Sequence, residues 1–251
     1  MSPALSDASA EEEPTPVVPP DGLLRREHFN DARVRRYAEE IARQGAFPFL
    51  SEEERAASLK AFCETIEPGS DVWVFAYGSL MWNPAIHVAE SKRAVAHGFH
   101  RAFCLTLSIG RGSEDKPGLM LALDEGGEAV GVAHRIATGE VESELKILWF
   151  REMLSGAYSP RWIEVDIEGN GTVHALAFVI NREHPRYVNN LSQTEIARRM
   201  AMAEGILGTN RDYLYRTVRH MEELGVADGP MHDLETQVRQ FANEPISGEV
   251  R

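Results

Sequence analysis

The chain has 251 residues and a formal net charge of −13, with 43% hydrophobic and 26% charged residues, which is ordinary for a globular protein. Such an acidic chain lacks the basic surface that nucleic-acid binding requires, and no apolar run approaches the roughly 18 residues of a membrane-spanning helix. The acidic N-terminus also lacks the basic and apolar regions of a signal peptide, so we expect a cytoplasmic protein without nucleic-acid or membrane partners. Cys63 and Cys104 show no metal-ligand spacing, and we expect both to be buried thiols.

Two regions are predicted before the main domain. Residues 1–22 are rich in Ser, Ala, Glu and Pro, a composition typical of a disordered acidic tail. Residues 23–67 carry apolar side chains at helical spacing, and Ser51 followed by three glutamates is typical of a helix start. We therefore predict a helical extension over 23–67 that packs on the main domain.

The main domain is predicted over residues 71–241 from short strands followed by helices. The strand-like segments are 72–76, 94–109, 119–123, 129–136, 158–167 and 173–180, with Gly126-Gly127 joining the third and fourth as a hairpin turn. Helices are predicted to begin at Thr138, Ser192, Thr209 and Gly229, and residues 242–251 are expected to fray. This order predicts an α+β domain with a mostly antiparallel or mixed, barrel-like sheet.

The turn after the first strand is the first candidate binding element. A positive φ at Gly78 would let the chain turn sharply and expose consecutive backbone N–H groups, and Ser79 adds a hydroxyl. Such donors suit a carboxylate or a polarised carbonyl oxygen. The alternative is an ordinary turn that ends a strand.

The polar, Gly-rich loop over residues 110–118 is the second candidate. It could be a lid that carries Arg111 or Lys116 to a substrate carboxylate, or a plain surface loop. The loop lacks the glycine spacings of nucleotide-binding motifs. His97 and His100 share no ligand spacing with another His, Cys or carboxylate cluster, so no metal site is predicted.

Four sequence blocks occur in order between about Val72 and Met221. They are Val74–Pro84, Gly110–Ser113 with Lys116–Gly118, Gly131–Arg135 and Trp149–Met153. In this order the blocks resemble the ChaC-like γ-glutamylcyclotransferases, the enzymes that cleave glutathione. The resemblance implies a small β-barrel flanked by helices, a small-molecule γ-glutamyl substrate, and no cofactor or metal.

Glu152 is the candidate catalytic residue. It lies four positions after Leu148 and three after Trp149, so it shares the apolar face of its predicted helix. A carboxylate there loses hydration, which raises its pKa and makes it a better base near neutral pH. The alternatives are a salt bridge to Arg151 or Arg161, or a position at a water-exposed rim. The resemblance favours catalysis, because the family's acid/base is the Glu of this block.

The remaining site predictions concern substrate binding. Tyr213 stands in a segment that resembles the family's late Tyr-Leu motif, whose hydroxyl is thought to contact substrate; a core tyrosine is the alternative. Arg111 is predicted to bind a substrate carboxylate. The stretch around the turn completes the predicted set, which is Ala76, Tyr77, Gly78, Ser79 and Leu80.

The implied reaction is an internal aminolysis that converts glutathione into 5-oxoproline and Cys-Gly, with Glu152 moving the protons. Three other functions stay open. They are cyclisation of another γ-glutamyl amine, a non-catalytic binding module on the same fold, and a serine hydrolase that uses Ser79. The last lacks the Gly-x-Ser-x-Gly elbow of α/β-hydrolases.

Overall fold

The computed structural model describes residues 25–29, 35, 36, 39, 49–226 and 228–244. The predicted tail over 1–22 and the residues from 245 onward lie outside the described residues, as does most of 23–48. The division into a tail, an extension, a catalytic domain and a frayed end therefore stays a prediction.

Five strands form a closed barrel, in the spatial order β1, β3, β2, β4, β5. All the neighbouring pairs in this order are antiparallel, and the barrel closes where β1 runs parallel to β5. The strands are β1 (Val72–Ala76), β2 (Glu90–Leu107), β3 (Gly118–Ile136), β4 (Tyr158–Ile167) and β5 (Gly171–Ile180). The prediction of an α+β fold with a small mixed barrel is confirmed.

The predicted hairpin at Gly126-Gly127 is wrong. Both glycines have positive φ, but they lie within β3, which continues through them and pairs with β2 on either side. The pairing register shifts opposite them, between His97 and Phe99 on β2. The glycines therefore bend one long strand at a bulge, a common device for curving a sheet into a barrel.

The described helices lie outside the barrel, and each begins close to a predicted start. They are α1 (Glu52–Cys63), α2 (Val141–Glu152), α3 (Gln193–Met202), α4 (Asn210–Glu223) and α5 (Gly229–Ala242). The side chains of Ser51, Ser192 and Thr209 accept backbone N–H groups at the N-termini of α1, α3 and α4. Thr138 instead lies in a short 3-10 turn before α2, and no side chain caps that helix.

Helix α1 packs on the barrel domain through aromatic contacts. Phe62 lies 5.2 Å from the Trp149 ring of α2 and 4.8 Å from the Trp162 ring of β4, measured between ring centroids. The Trp149 indole also donates to the Ser58 hydroxyl at 3.2 Å. Together α1 and the barrel hold α2 in place, and the last residue of α2 is Glu152.

Within the described residues, no helix is both long enough and apolar enough to span a membrane. Short strands β6 (Glu204–Gly205) and β7 (Gly208–Thr209) form a small hairpin between α3 and α4. The Leu207 amide at its tip donates to the Gly110 carbonyl at 2.7 Å, so the hairpin covers the start of the Gly-rich loop.

Candidate active site

A cavity of about 300 Å³ lies where the end of β1, the end of α2 and the start of α4 meet. That volume is at the small end of the range for small-molecule sites. Most of the predicted site residues line it: Tyr77, Gly78, Ser79, Leu80, Arg111, Glu152 and Tyr213. Residues more than 130 positions apart in the sequence therefore share one site.

The turn after β1 has a different backbone from the predicted one. Gly78 has φ −134° and ψ −134°, so the expected positive φ is wrong, and a 3-10 turn over Ser79–Met81 redirects the chain instead. The amides of Ser79 and Leu80 donate to no protein acceptor in the described part of the chain. A Cβ on Gly78 would lie 3.7 Å from the Tyr213 hydroxyl oxygen, so the glycine leaves space beside that group.

Two buried side chains that do not line the cavity hold this turn in place. The Arg101 guanidinium, only 3% exposed, donates from Nε to the Tyr77 carbonyl at 2.7 Å and pairs with Asp228 at 3.2 Å. His134 contacts the Leu80 carbonyl through Nε2 at 3.0 Å and the Ser91 hydroxyl through Nδ1 at 2.8 Å. The backbone donors of the turn are therefore rigidly placed, as preorganised binding requires.

Glu152 is a largely desolvated carboxylate at the cavity wall. Its side chain is 17% exposed, and its charged neighbour is the Arg151 guanidinium, with Nε 3.5 Å from Oε1. Burial raises the pKa of Glu152, while the Arg151 charge opposes that rise. Arg161, the other predicted partner, pairs with Glu125 at 2.7 Å and is engaged elsewhere.

Arg151 links Glu152 to the turn. Its guanidinium donates to the Ser79 hydroxyl at 3.3 Å and also to the Asn83 carbonyl. Among the described residues the hydrogen-bond partner of the Ser79 hydroxyl is thus an arginine, and no histidine activates it as a serine hydrolase would require. The geometry does not support a nucleophilic Ser79.

Tyr213 is placed by the start of α4. The amide group of Asn210, fully buried, bonds both the N–H and the carbonyl of Leu119, each at 2.8 Å, and so joins α4 to β3. Tyr213 follows one turn later and faces the cavity, where burial raises its pKa. The Arg111 guanidinium lies 5.7 Å from the Tyr213 ring centroid and donates to the Thr209 carbonyl at 3.2 Å.

Two residues of the sequence-based set lie away from the cavity. Ala76 is fully buried in β1, where it pairs with Val132, and it is not among the cavity-lining residues. Lys116 is exposed on the loop and does not line the cavity either. Tyr77 lines the cavity, but its hydroxyl donates to the Phe178 carbonyl at 2.7 Å, which makes it a wall residue.

Sequence reasoning missed several cavity residues. They include His28, Phe29, Phe49, Tyr158 and Arg186. Arg186 lines the cavity, and burial lowers its pKa to about 10. The available signal was weak, because these residues follow no motif and reach the site only through the tertiary fold.

The arrangement combines three chemical elements around one cavity. The desolvated carboxylate of Glu152, whose pKa burial raises, can accept and donate a proton. The amides of Ser79 and Leu80 can bind a negatively charged oxygen, and Arg111 can bind a carboxylate. The site therefore suits proton transfer on a small substrate that carries a carboxylate.

Comparison with known proteins agrees with this geometry. The family model described as ChaC-like protein matches residues 72–241. The chain is 43% identical over 194 residues to the glutathione-specific γ-glutamylcyclotransferase of Escherichia coli K12, covering 77% of this chain and 84% of that one. It is 30% identical over 158 residues to the human glutathione-specific γ-glutamylcyclotransferase 1, covering 61% of this chain and 71% of that one.

A solved structure shares the fold. The crystal structure of a yeast γ-glutamyl cyclotransferase specific to glutathione superposes with a TM-score of 0.63 at 19% identity, covering 68% of this chain and 97% of that one. The family model spans the whole barrel and the helices that carry Glu152 and Tyr213. The chain belongs to the ChaC-like protein family.

Proposed function

We propose that the protein is a γ-glutamylcyclotransferase that converts glutathione into 5-oxoproline and Cys-Gly. The observation that carries this proposal is the desolvated Glu152 carboxylate, which shares a cavity with the backbone donors of the Ser79 turn. Two relatives that share 30–43% identity with the chain are named for this activity and this substrate.

In the proposed reaction, Glu152 takes a proton from the α-ammonium group of the γ-glutamyl residue. The free amine attacks the γ-carbonyl carbon and forms the C–N bond of a five-membered lactam. Glu152 returns the proton to the departing cysteine nitrogen as the original amide bond breaks. The attacking nitrogen loses a second proton to become the lactam N–H, and Glu152 passes that proton to the freed amine, which leaves as an ammonium group. Attack within one molecule gains from proximity if the cavity folds the substrate into the reactive conformation.

The other cavity residues have binding roles in this proposal. The amides of Ser79 and Leu80 bind either the α-carboxylate or the oxyanion that develops on the γ-carbonyl. Arg111 pairs with a substrate carboxylate, and the Tyr213 hydroxyl lies beside the reacting amine. Gly78 keeps the space next to that hydroxyl open, because any side chain there would enter it.

The test is an assay of 5-oxoproline release from glutathione and from a panel of other γ-glutamyl dipeptides and amines. We expect release from glutathione, and we expect Glu152→Gln to reduce kcat by about 10² to 10⁴-fold, the usual contribution of general acid–base catalysis. Glu142→Gln is the matched control, since Glu142 is exposed on the same helix and does not line the cavity.

The other outcomes separate the competing functions. Release from other γ-glutamyl compounds but not from glutathione would keep the reaction and replace the substrate. A complete loss of turnover in a folded Ser79→Ala variant that still binds substrate would favour a serine nucleophile. If the wild-type protein released no 5-oxoproline from any compound, the cyclotransferase proposal would be wrong and a binding module would be favoured.

A further inference from the structure

A short N-terminal segment lines the cavity from outside the region that the family model matches. The segment is Arg25–Phe29, called here the N-terminal strap, and it contains a single 3-10 turn at Arg26–His28. Its His28 and Phe29 are cavity-lining residues, whereas the family model begins only at residue 72. The family domain therefore does not build this side of the cavity by itself.

The strap is attached to helix α2 by an ion pair. Both terminal nitrogens of Arg26 donate to the Glu144 carboxylate, with Nη2 2.7 Å from Oε1. The Glu144 side chain is 0% exposed and also accepts the His87 amide at 2.9 Å. Such a bidentate arginine–carboxylate pair constrains both distance and orientation.

A second contact lies farther along the same helix. The Phe29 ring centroid is 5.9 Å from the guanidinium carbon of Arg151, within the range of a cation–π contact. Glu144 and Arg151 are seven residues apart, so they lie on one face of α2, about 10 Å apart along its axis. The strap therefore runs along the face of α2 that ends at Arg151, the residue next to Glu152.

The strap also packs against the domain through Phe29, which is partly buried against the hydrophobic core. None of its five residues is buried, so it has no hydrophobic core of its own. A short segment without buried side chains gains its order from specific contacts, which must offset the entropy lost on ordering. The Arg26–Glu144 pair is the strongest of the contacts described above.

We propose that the N-terminal strap is a wall of the substrate site, in which Phe29 contacts the bound γ-glutamyl group and the Arg26–Glu144 pair holds the strap in place. This inference rests on the proposed function. Because Arg151 bonds the Ser79 hydroxyl and flanks Glu152, Phe29 lies at the reacting end of the cavity. Every γ-glutamyl compound presents the same group there, so the strap contributes to all such substrates alike.

The first arm of the test measures KM and kcat of the full chain for glutathione and for γ-glutamylcysteine. Phe29→Ala should raise KM about tenfold for both, with little change in kcat, because it removes binding shared by the ground and transition states. Phe29→Leu should recover most of the loss, since it restores apolar bulk. Glu27→Ala is the control, because Glu27 is exposed on the strap and does not line the cavity.

The second arm is a double-mutant cycle on the pair. Arg26→Met and Glu144→Gln should each raise KM several-fold. The double variant should have a KM no higher than that of the poorer single variant, because the same Arg26–Glu144 ion pair is lost in all three variants. Thermal unfolding of each variant reports whether the fold is intact. If Arg26→Met folds poorly, Arg26→Lys keeps the charge, loses the bidentate bond and should show an intermediate KM.

The outcomes separate the inference from the proposed function. One outcome would be turnover by the wild-type protein together with equal KM values for Phe29→Ala and the Glu27→Ala control. That outcome would refute the proposed contact between the strap and the substrate, while the proposed cyclotransferase activity would stand. Additive effects in the cycle would show that Arg26 and Glu144 do not act through their pair, which would also overturn the inference. No turnover by the wild-type protein on either compound would refute the proposed substrate and the strap's role together.

Discussion

Two glutamates on helix α2, eight residues apart, have opposite electrostatic settings. Glu144 is fully buried and accepts hydrogen bonds from Arg26, the His87 amide and the Ser143 hydroxyl, and these donors lower its pKa. Glu152 is 17% exposed, its cation lies 3.5 Å away, and burial raises its pKa. The carboxylate with the less exposed side chain is therefore the one whose pKa is lowered.

The difference shows that the number of donors, and not burial alone, decides which role a carboxylate takes. Desolvation acts on both groups, but the donors around Glu144 more than offset it. Among the described residues, Glu152 has no comparable set of hydrogen-bond donors, so its protonated and ionised forms are closer in free energy. A carboxylate in the first setting holds structure together, whereas one in the second can carry protons.

The largest expected effect is on the pH dependence of catalysis. The acid limb of kcat/KM for 5-oxoproline release should report the raised pKa of Glu152, falling about tenfold per pH unit below it as the base becomes protonated. In the described part of the chain, the other ionisable groups that line the cavity are Arg151, Arg111, Arg186, Tyr77, Tyr158, Tyr213 and His28. Arginines stay charged throughout this range, and burial raises the pKa of each of these tyrosines, so they do not supply the limb.

Two variants control that measurement. Glu144→Gln should leave the limb at the same pH, because Glu144 is already ionised there. His28→Gln should also leave its position unchanged, although His28 lines the cavity. A limb that moved with His28→Gln would assign the titration to histidine and contradict the role given to Glu152.

The next effect is on stability, where the two glutamates should respond in opposite directions. At pH 7, Glu144→Gln should lower the free energy of unfolding by about 1–3 kcal/mol, because it removes a buried charged acceptor from its donors. Glu152→Gln should not lower it and should raise it slightly. The raised pKa of Glu152 means that its ionised form costs stability at pH values above that pKa.

Urea unfolding monitored by circular dichroism checks this prediction. The lowered pKa of Glu144 means that its contribution is present above about pH 4.3, the usual glutamate value, and is lost as pH falls through the lower folded value. The penalty of Glu144→Gln should therefore shrink in acid. Equal destabilisation by both substitutions at pH 7 would contradict the comparison.

The smallest effect is expected from Arg151, whose guanidinium Nε lies 3.5 Å from the Glu152 carboxylate. Arg151→Met should raise the pKa of Glu152 further and move the acid limb up by about one pH unit. Arg151→Lys should shift the limb less, because it keeps the charge while losing the bonds to Ser79 and Asn83. A limb that did not move in Arg151→Met would show that this arginine serves only to position the turn.

Much of the fold was predictable from local signals. The apolar run at Val72–Ala76 and the caps at Ser51, Ser192 and Thr209 each act within a few residues. Gly126-Gly127 was misassigned as a hairpin turn because a positive φ is compatible with both a turn and a bulge. Which of the two forms depends on the strand that pairs with these residues. That partner lies about 27 residues earlier in the chain, on β2.

The candidate site was partly predictable, because some of its residues belong to local patterns and motifs. Glu152 was found because helical spacing places it beside Leu148 and Trp149, and Tyr213 because its segment resembles a family motif. Ala76 was included because it adjoins the turn, but it is fully buried in β1, whose last three residues are all buried. The backbone of Gly78 differed from the expected one because its φ is set by the contacts of the turn and not by glycine's freedom.

The sequence by itself predicted most helices and strands of the described core, the match to the family and the candidate proton-carrying residue Glu152, because these depend on periodicity, caps and contiguous blocks. Only the tertiary structure decided which of the two glutamates on helix α2 has a lowered pKa and which has a raised one. The donors of Glu144 come from Arg26 and His87, 118 and 57 residues away in the chain. No local pattern encodes such distant partners, since they meet only when the barrel closes and the N-terminal strap lies along α2.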